Sequence, residues 1–389
     1  MHVNNPLRIF VGGFVLCVFT GTMLARPPEV DFDEIERYRT LSPKHLEQLR
    51  ARIGYWLEVI RSAAEAKDIT DAREELLKDF QRIDKVLYRD SFAGLASQLA
   101  FPLFARLPEG LKNLREVYLA LALSQFPQVT VQPALEDLIV HPNPAVRFLG
   151  WRGYRRIRPQ VLARPPGTQF DQAMYRSMWA RAAEESVAPV VSAIFQMIQM
   201  PPVRREPVSA ENFPRFQENA FQILKDTWER RCREVLRGDG AMADACRKGT
   251  KALENLEAVF KDDPVKRKAI LQMVIDMTWC AARAYDSALR TVNQAARNQQ
   301  KNEAAQQALQ ANSELLRDCE KTLNALTRRD SRHIVRPMSD PDQLDRGSAV
   351  GLGVVEWIKD LQAEGVTNPE PRFSAQPTTQ PLGQAKAGR

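Results

Sequence analysis

Glycine is scarce in this chain, and β-patterned runs are all but missing. Only 18 of 389 residues are Gly, and no stretch of alternating β-branched side chains occurs beyond the short Val129-Thr130-Val131. Together these absences exclude a β-rich fold. Histidine is scarcer still. His2, His45, His141 and His333 are the full set, and none has a second ligand at metal-binding spacing. His-Glu-x-x-His, Gly-x-Ser-x-Gly, a Walker loop and Gly-x-Gly-x-x-Gly do not occur, which removes the zinc-protease, nucleophile-elbow and nucleotide-binding signatures. Adjacent carboxylates such as Glu184-Glu185 and Asp262-Asp263 read as ordinary helix-face or loop charges, and Arg237-Gly238-Asp239 as the turn that ends a helix. No catalytic residue, cofactor or metal is expected. Neither sign of charge dominates: 55 Lys plus Arg stand against 48 Asp plus Glu, a net +7 spread along the chain. That balance argues against a nucleic-acid binder.

What is present begins at the N-terminus. Arg8 precedes an uncharged apolar run, Ile9 to Ala25, and charge returns with Arg26 and the acidic Asp31, Asp33, Glu34 and Glu36. A basic lead, an apolar core and small residues near a cut form the layout of an export signal. Cleavage after Ala25 leaves the large Met23 at the third position before the cut, and cleavage after Thr22 puts Thr20 there. Without cleavage the segment is an N-terminal anchor, since its 17 residues rise roughly 25 Å as a helix, at the short edge of a membrane span. Leu16 before Cys17 does not fit a lipid-attachment site. Either reading puts the bulk of the chain outside the cytoplasm, periplasmic or extracellular, or membrane-anchored and facing outward.

Runs of Ala, Leu, Glu, Gln, Lys and Arg then predict an all-α fold. Ser42-Pro43 caps a helix to about Ala66, and Asp71 with Glu74 looks like a capping box for a second, to about Arg89. A third is expected from Phe92 to Leu107, disturbed by Pro102, and Leu114, Val117, Tyr118 and Leu121 mark a fourth. Pro159 and Arg164-Pro165-Pro166-Gly167 predict a break. A helix follows from about Gln169, interrupted by Pro189, and Pro201-Pro202 with Pro207 form a stiff connector. Beyond it the helices lengthen: Ser209 to Arg237, Ala241 to Phe260, Pro264 to Arg329 with a turn near 297–303, and a piece near Val350 to Gln362.

One stretch has family character. Leu138 to Arg158 reads LIVHPNPAVRFLGWRGYRRIR, a short helix, a turn and a longer helix, and residues 132–160 resemble a HEAT-like repeat. Val146-Arg147 occupy the family's Val-Arg pair, and Gly150 and Gly153 fall where the family places small residues. His141 and Asn143 stand where the family prefers Asp. The resemblance implies an Arg147 that ties repeats together and degenerate repeats stacked around this one. The expected architecture is an all-α chain: a degenerate HEAT-like α-solenoid N-terminal half, then a long-helix hairpin bundle. Its segments are an export signal or anchor at 1–25, a repeat region at 30–163, linking helices at 168–200, a helical-hairpin bundle at 208–363 and a disordered tail at 364–389.

Apart from Cys17, the cysteines fall in the second half of the chain. Cys232 and Cys246 lie seven residues either side of Asp239, and Cys280 and Cys319 mirror one another about Gln299/Gln300. In an exported chain this symmetry suggests disulfides Cys232–Cys246 and Cys280–Cys319, and the other reading is four buried thiols acting as small hydrophobes. Metal binding is disfavoured, because Cys-x-x-Cys is absent. A final cluster is cationic: Arg147, Arg152, Arg155, Arg156, Arg158 and Arg164 occur with no acid between Val140 and Arg164. Arg152, Tyr154, Arg155 and Arg156 are expected to present a partly aromatic cationic face to an anionic partner, unless they are simply a solvated helix face. The function expected from all this is an exported, non-enzymatic scaffold that binds another protein or an anionic envelope component, or a membrane-anchored assembly factor built from the same helices.

Overall fold

The computed structural model describes residues 26–165, 167, 181–199, 209–340, 342–343 and 345–374, and every regular element among them is a helix. The chain opens with α1 (Phe32–Arg37), α2 (Pro43–Ser62), α3 (Ala66–Gln81), α4 (Val86–Phe104) and α5 (Lys112–Gln125). A 3₁₀ turn, Val129–Val131, occupies the one stretch with β character and leads into α6 (Gln132–Leu138) and α7 (Pro144–Ala163). Then come α8 (Ala188–Ile198), α9 (Asn212–Leu236), α10 (Gly240–Phe260), α11 (Pro264–Arg297), α12 (Glu303–Thr327), α13 (Val335–Ser339), α14 (Arg346–Leu361) and α15 (Glu370–Ser374).

Local chemistry explains where many of these helices begin. The Ser42 hydroxyl accepts from the His45 N–H at 3.2 Å with Pro43 at the first position, so one free N–H is satisfied and another removed. Asp239, Asp263, Asn302 and Asp345 cap α10, α11, α12 and α14 in the same way. Apolar stripes then bring the helices together. Leu49, Ile53, Leu57 and Ile60 of α2 and Ile69, Leu76 and Phe80 of α3 are all buried, and α2 packs on α3 and α4, and α3 on α5. Further along, α5 packs on α7, α7 on α8, α8 on α10, α10 on α12 and α12 on α11, while α9 and α14 lie against α11. One apolar core runs continuously from Phe32 to Phe373, with Trp151, Trp228 and Trp357 fully buried in it.

Several expectations need correction. Asp71 and Glu74 do not start a helix: α3 begins at Ala66 and ends at Gln81, and α4 starts at Val86 rather than Phe92. The chain turns where buried Ile83 drops into the core between the two helices. Pro159 does not break α7, which continues to Ala163. The bond that a proline cannot donate to the Arg155 carbonyl is offset by the burial of Ile157, Val161 and Leu162. The interruption expected at Pro189 is present: helical residues 181–184 end in a break at 185–187, and α8 restarts at Ala188 with Pro189 in its first turn, while the expected start of that helix near Gln169 lies outside the described residues. The expected tail is ordered in its first part: Val366 and Phe373 are buried, Thr367 N–H donates to Gln272 at 2.8 Å, and Arg372 pairs with Asp276. The N-terminal segment, the Pro201-Pro202 connector and the tail beyond Ser374 lie outside the described residues.

Candidate functional site

The turn into α7 is built from side chains. Asn143 Oδ1 accepts from Ala145 N–H at 3.0 Å, and His141 Nδ1 accepts from Asn143 N–H at 3.1 Å. Asn143 Nδ2 donates to buried Glu116 of α5 at 3.2 Å. Arg147 then reaches in two directions. Its Nη1 donates to the carbonyls of His141 and Pro142 at 2.9 and 2.8 Å, and its Nε and Nη2 bind Glu185 at 2.8 and 3.1 Å. Glu185 Oε1 also accepts from the N–H groups of Ser186 and Val187 just ahead of α8. Burial pushes the Glu185 carboxyl up, but the guanidinium and those two donors outweigh it and hold it below its ordinary value. Glu185 is therefore a buried structural carboxylate and not the ordinary surface charge expected. His141 is depressed, chiefly by burial, with Glu116 opposing and Arg147 and Lys112 adding to the effect. Its Nε2 lies 3.9 Å from Glu116 Oε1, too far for a catalytic hydrogen bond in this geometry.

Close packing surrounds the turn. A Cβ on Gly150 would stand 2.9 Å from the Ile139 side chain, and one on Gly153 would strike Leu135 of α6. Both positions need glycine so that α6 and α7 can approach.

The arginine cluster divides by direction. Arg158 is buried, donating to the Met197 and Gln199 carbonyls at 2.6 and 2.9 Å with its guanidinium 5.9 Å from the Phe216 ring. Arg164 stands near Asp90, whose carboxyl is raised by burial and lowered by that guanidinium. Arg152, Arg155 and Arg156 face outward. Arg152 lies 5.7 Å over the Phe148 ring, Arg155 donates to Gln196 Oε1 at 2.9 Å, and Arg156 donates to the Gln125 carbonyl and Oε1 at 2.7 and 2.8 Å. None of the three pairs with a carboxylate among the described residues. Burial, and then the charge of Arg152, lowers the Arg156 pKa. Tyr154 does not join them. It is fully buried, its ring 5.9 Å from Trp151, because positions 151, 154 and 157 form the apolar stripe of α7.

Ser192 and Gln196 are the polar, partly exposed side chains of α8. Ser192 shares a shallow cleft with Lys248 of α10, another exposed cation without a carboxylate partner among the described residues. Arg247 beside it is neutralised by Asp244, Glu314 and Asp318.

The four cysteines are free and buried, which overturns both proposed disulfides. The geometry also differs from the mirror arrangement: the thiol hydrogen-bonded to Cys232 is Cys280 on α11, not Cys246 across the turn. Burial and that neighbour push the Cys232 thiol well up. Burial raises Cys246 too, and takes Cys319 up to about 12, partly offset by a hydrogen bond with Thr278. Burial thus keeps the Cys232, Cys246 and Cys319 thiols protonated at neutral pH. The cysteine pattern therefore gives no support to an oxidising compartment.

Sequence reasoning missed the other buried charges because their partners are distant in the chain. Asp79 accepts from Arg52 and Trp56, and Glu320 from the N–H groups of Ile334 and Val335 and from Trp357. Arg231 donates to the Ala182 and Glu185 carbonyls. Each is used structurally. Among the described residues no group of three His, Cys, Asp or Glu side chains is placed to hold a metal, and no helix is long and apolar enough to cross a membrane. Comparison with protein-family models, curated proteins and solved structures finds no match.

Proposed function

We propose that the chain is an exported, non-enzymatic helical scaffold whose α7 face docks an anionic partner, either another protein or an envelope component. The observation that carries this reading is the outward row Arg152, Arg155 and Arg156, uncompensated by carboxylates and braced by Gln196 and Gln125 on the helices either side. Guanidinium groups held in place bind carboxylate or phosphate at a smaller entropic cost than free ones. The close approach at Gly150 and Gly153, and the reach of Arg147 from helix to turn, support a degenerate HEAT-like repeat as the scaffold's origin. Export rests on the N-terminal sequence alone, and retention of that segment converts the same scaffold into an anchored assembly factor.

Arg155→Glu with Arg156→Glu tests the docking face. It is expected to lower the salt needed to elute the protein from a polyglutamate resin and to abolish co-sedimentation with native envelopes. The same charge change at exposed Arg297 and Lys301 serves as control. Equal loss in the control, or none in the α7 variant, removes the reading. N-terminal sequencing of exported protein decides between cleaved and anchored forms, since a start at Arg26 excludes the anchor.

A further inference from the structure

The outer side of α2 and α3 carries a groove unrelated to the cationic face. The inward stripes of these helices are covered by α4 and α5. On the opposite side a groove of about 500 Å³ is lined only by α2, α3 and the residues joining them. One wall is aromatic: Tyr55 and Trp56, both half-buried, meet edge to face with centroids 4.9 Å apart. Trp56 is fixed, because its Nε1 donates to buried Asp79 at 2.8 Å and the Arg52 guanidinium sits 5.6 Å over its ring. Val59 and Ala72 form the floor. Asp68, Asp71 and Glu75 form the other wall at steps of three and four residues, one stripe along α3, roughly 10 Å long. Asp68 and Asp71 pair with no cation among the described residues, Glu75 already pairs with Lys78 at 2.6 Å, and no Lys or Arg lines the groove itself. A chain of net charge +7 thus carries one locally anionic, aromatic furrow.

We propose that this groove receives a basic amphipathic helix of a partner protein. A furrow between two packed helices matches the ridge of a third. Apolar side chains of the incoming helix would cover Val59 and the Tyr55 and Trp56 rings, and Lys or Arg at i and i+3 would meet the uncompensated Asp68 and Asp71. The aromatic wall adds cation–π attraction to the same charges.

The test uses the full chain and a labelled synthetic helical peptide of about 15 residues, with Lys on one stripe and Leu on the next, read by fluorescence anisotropy at physiological ionic strength. Asp68→Asn with Asp71→Asn is expected to weaken binding by about tenfold, and Tyr55→Ala is expected to weaken it measurably. The same peptide with Glu for Lys is expected not to bind. Asp262→Asn with Asp330→Asn, exposed residues away from the groove, controls for diffuse attraction, and an unchanged melting curve controls for folding. Undiminished affinity in the groove variants overturns the proposal, as does an equal loss in the control pair. Self-association of the protein alone that disappears with Asp68→Asn and Asp71→Asn also overturns it, in favour of a second copy as occupant.

Discussion

Arg147 grips Glu185 through two hydrogen bonds, at 2.8 and 3.1 Å, across 38 residues of chain. The pair is largely shielded from water, and each partner also satisfies backbone groups, the arginine at the α6–α7 turn and the glutamate at the start of α8. Removing the arginine leaves the buried Glu185 carboxylate without its cation and takes a donor from the part-buried His141 carbonyl. Arg147→Ala is expected to cost about 3 kcal/mol, read from urea unfolding. Arg147→Lys, which cannot make the paired contact, should recover only part of it.

Thiol chemistry offers a second check. Because Cys232, Cys246, Cys280 and Cys319 are free and buried, denaturation without reductant should expose four additional reactive thiols to an aromatic disulfide reagent. Two fewer would indicate a bridge.

The carboxyl of Asp276 on α11 is pushed up to about 6 by burial, with Gln272 and Arg372 pulling the other way. A carboxyl raised on folding holds its proton more tightly in the native state than in the unfolded one. Its stabilising contribution is therefore present at low pH and is lost as pH rises from about 4 to 6. Asp276→Asn should remove a decline of about 2 kcal/mol between pH 4 and pH 7, measured as the difference between variant and parent stability at the two values.

Two glycines of α14 make a matched pair. A Cβ on Gly353 would fall on the His333 carbonyl, whereas nothing lies within 4 Å of one on Gly351. Gly353→Ala is expected to cost about 3 kcal/mol. Gly351→Ala should stabilise by about 0.5–1 kcal/mol through helix propensity alone. Thermal melts of the two variants should move in opposite directions.

Much of the helical framework was legible because its signals are local. Ser42-Pro43 starts α2, Gly238 at φ +89° with Asp239 closes α9 and opens α10, and the polar lapse after Arg297 separates α11 from α12. Failures arose where distant packing decides. The mirrored cysteines assume each helix meets only its neighbour across the turn, yet α11 packs on α9 as well as α12, so Cys280 turns toward Cys232. Charge alone puts Tyr154 on the cationic face with Arg152, Arg155 and Arg156. Its spacing from Trp151 and Ile157 already assigns it to the core stripe. Glu185 could not be recognised, since nothing near it in sequence announces a partner at Arg147. Asp68, Asp71 and Glu75 are regularly spaced, but their aromatic wall comes from another helix.

Helix α8 touches α7 on one side and α10 on the other, and most of its side chains are buried between them. Phe195 lies against the site of Gly249, where an added Cβ would also strike Trp228 at 2.6 Å. Loss of α8 packing would strip apolar cover from both flanking regions at once, which couples their melting. Calorimetry should record one endotherm with matching calorimetric and van't Hoff enthalpies, and a substitution near Leu49 should lower the temperature at which Trp357 is exposed.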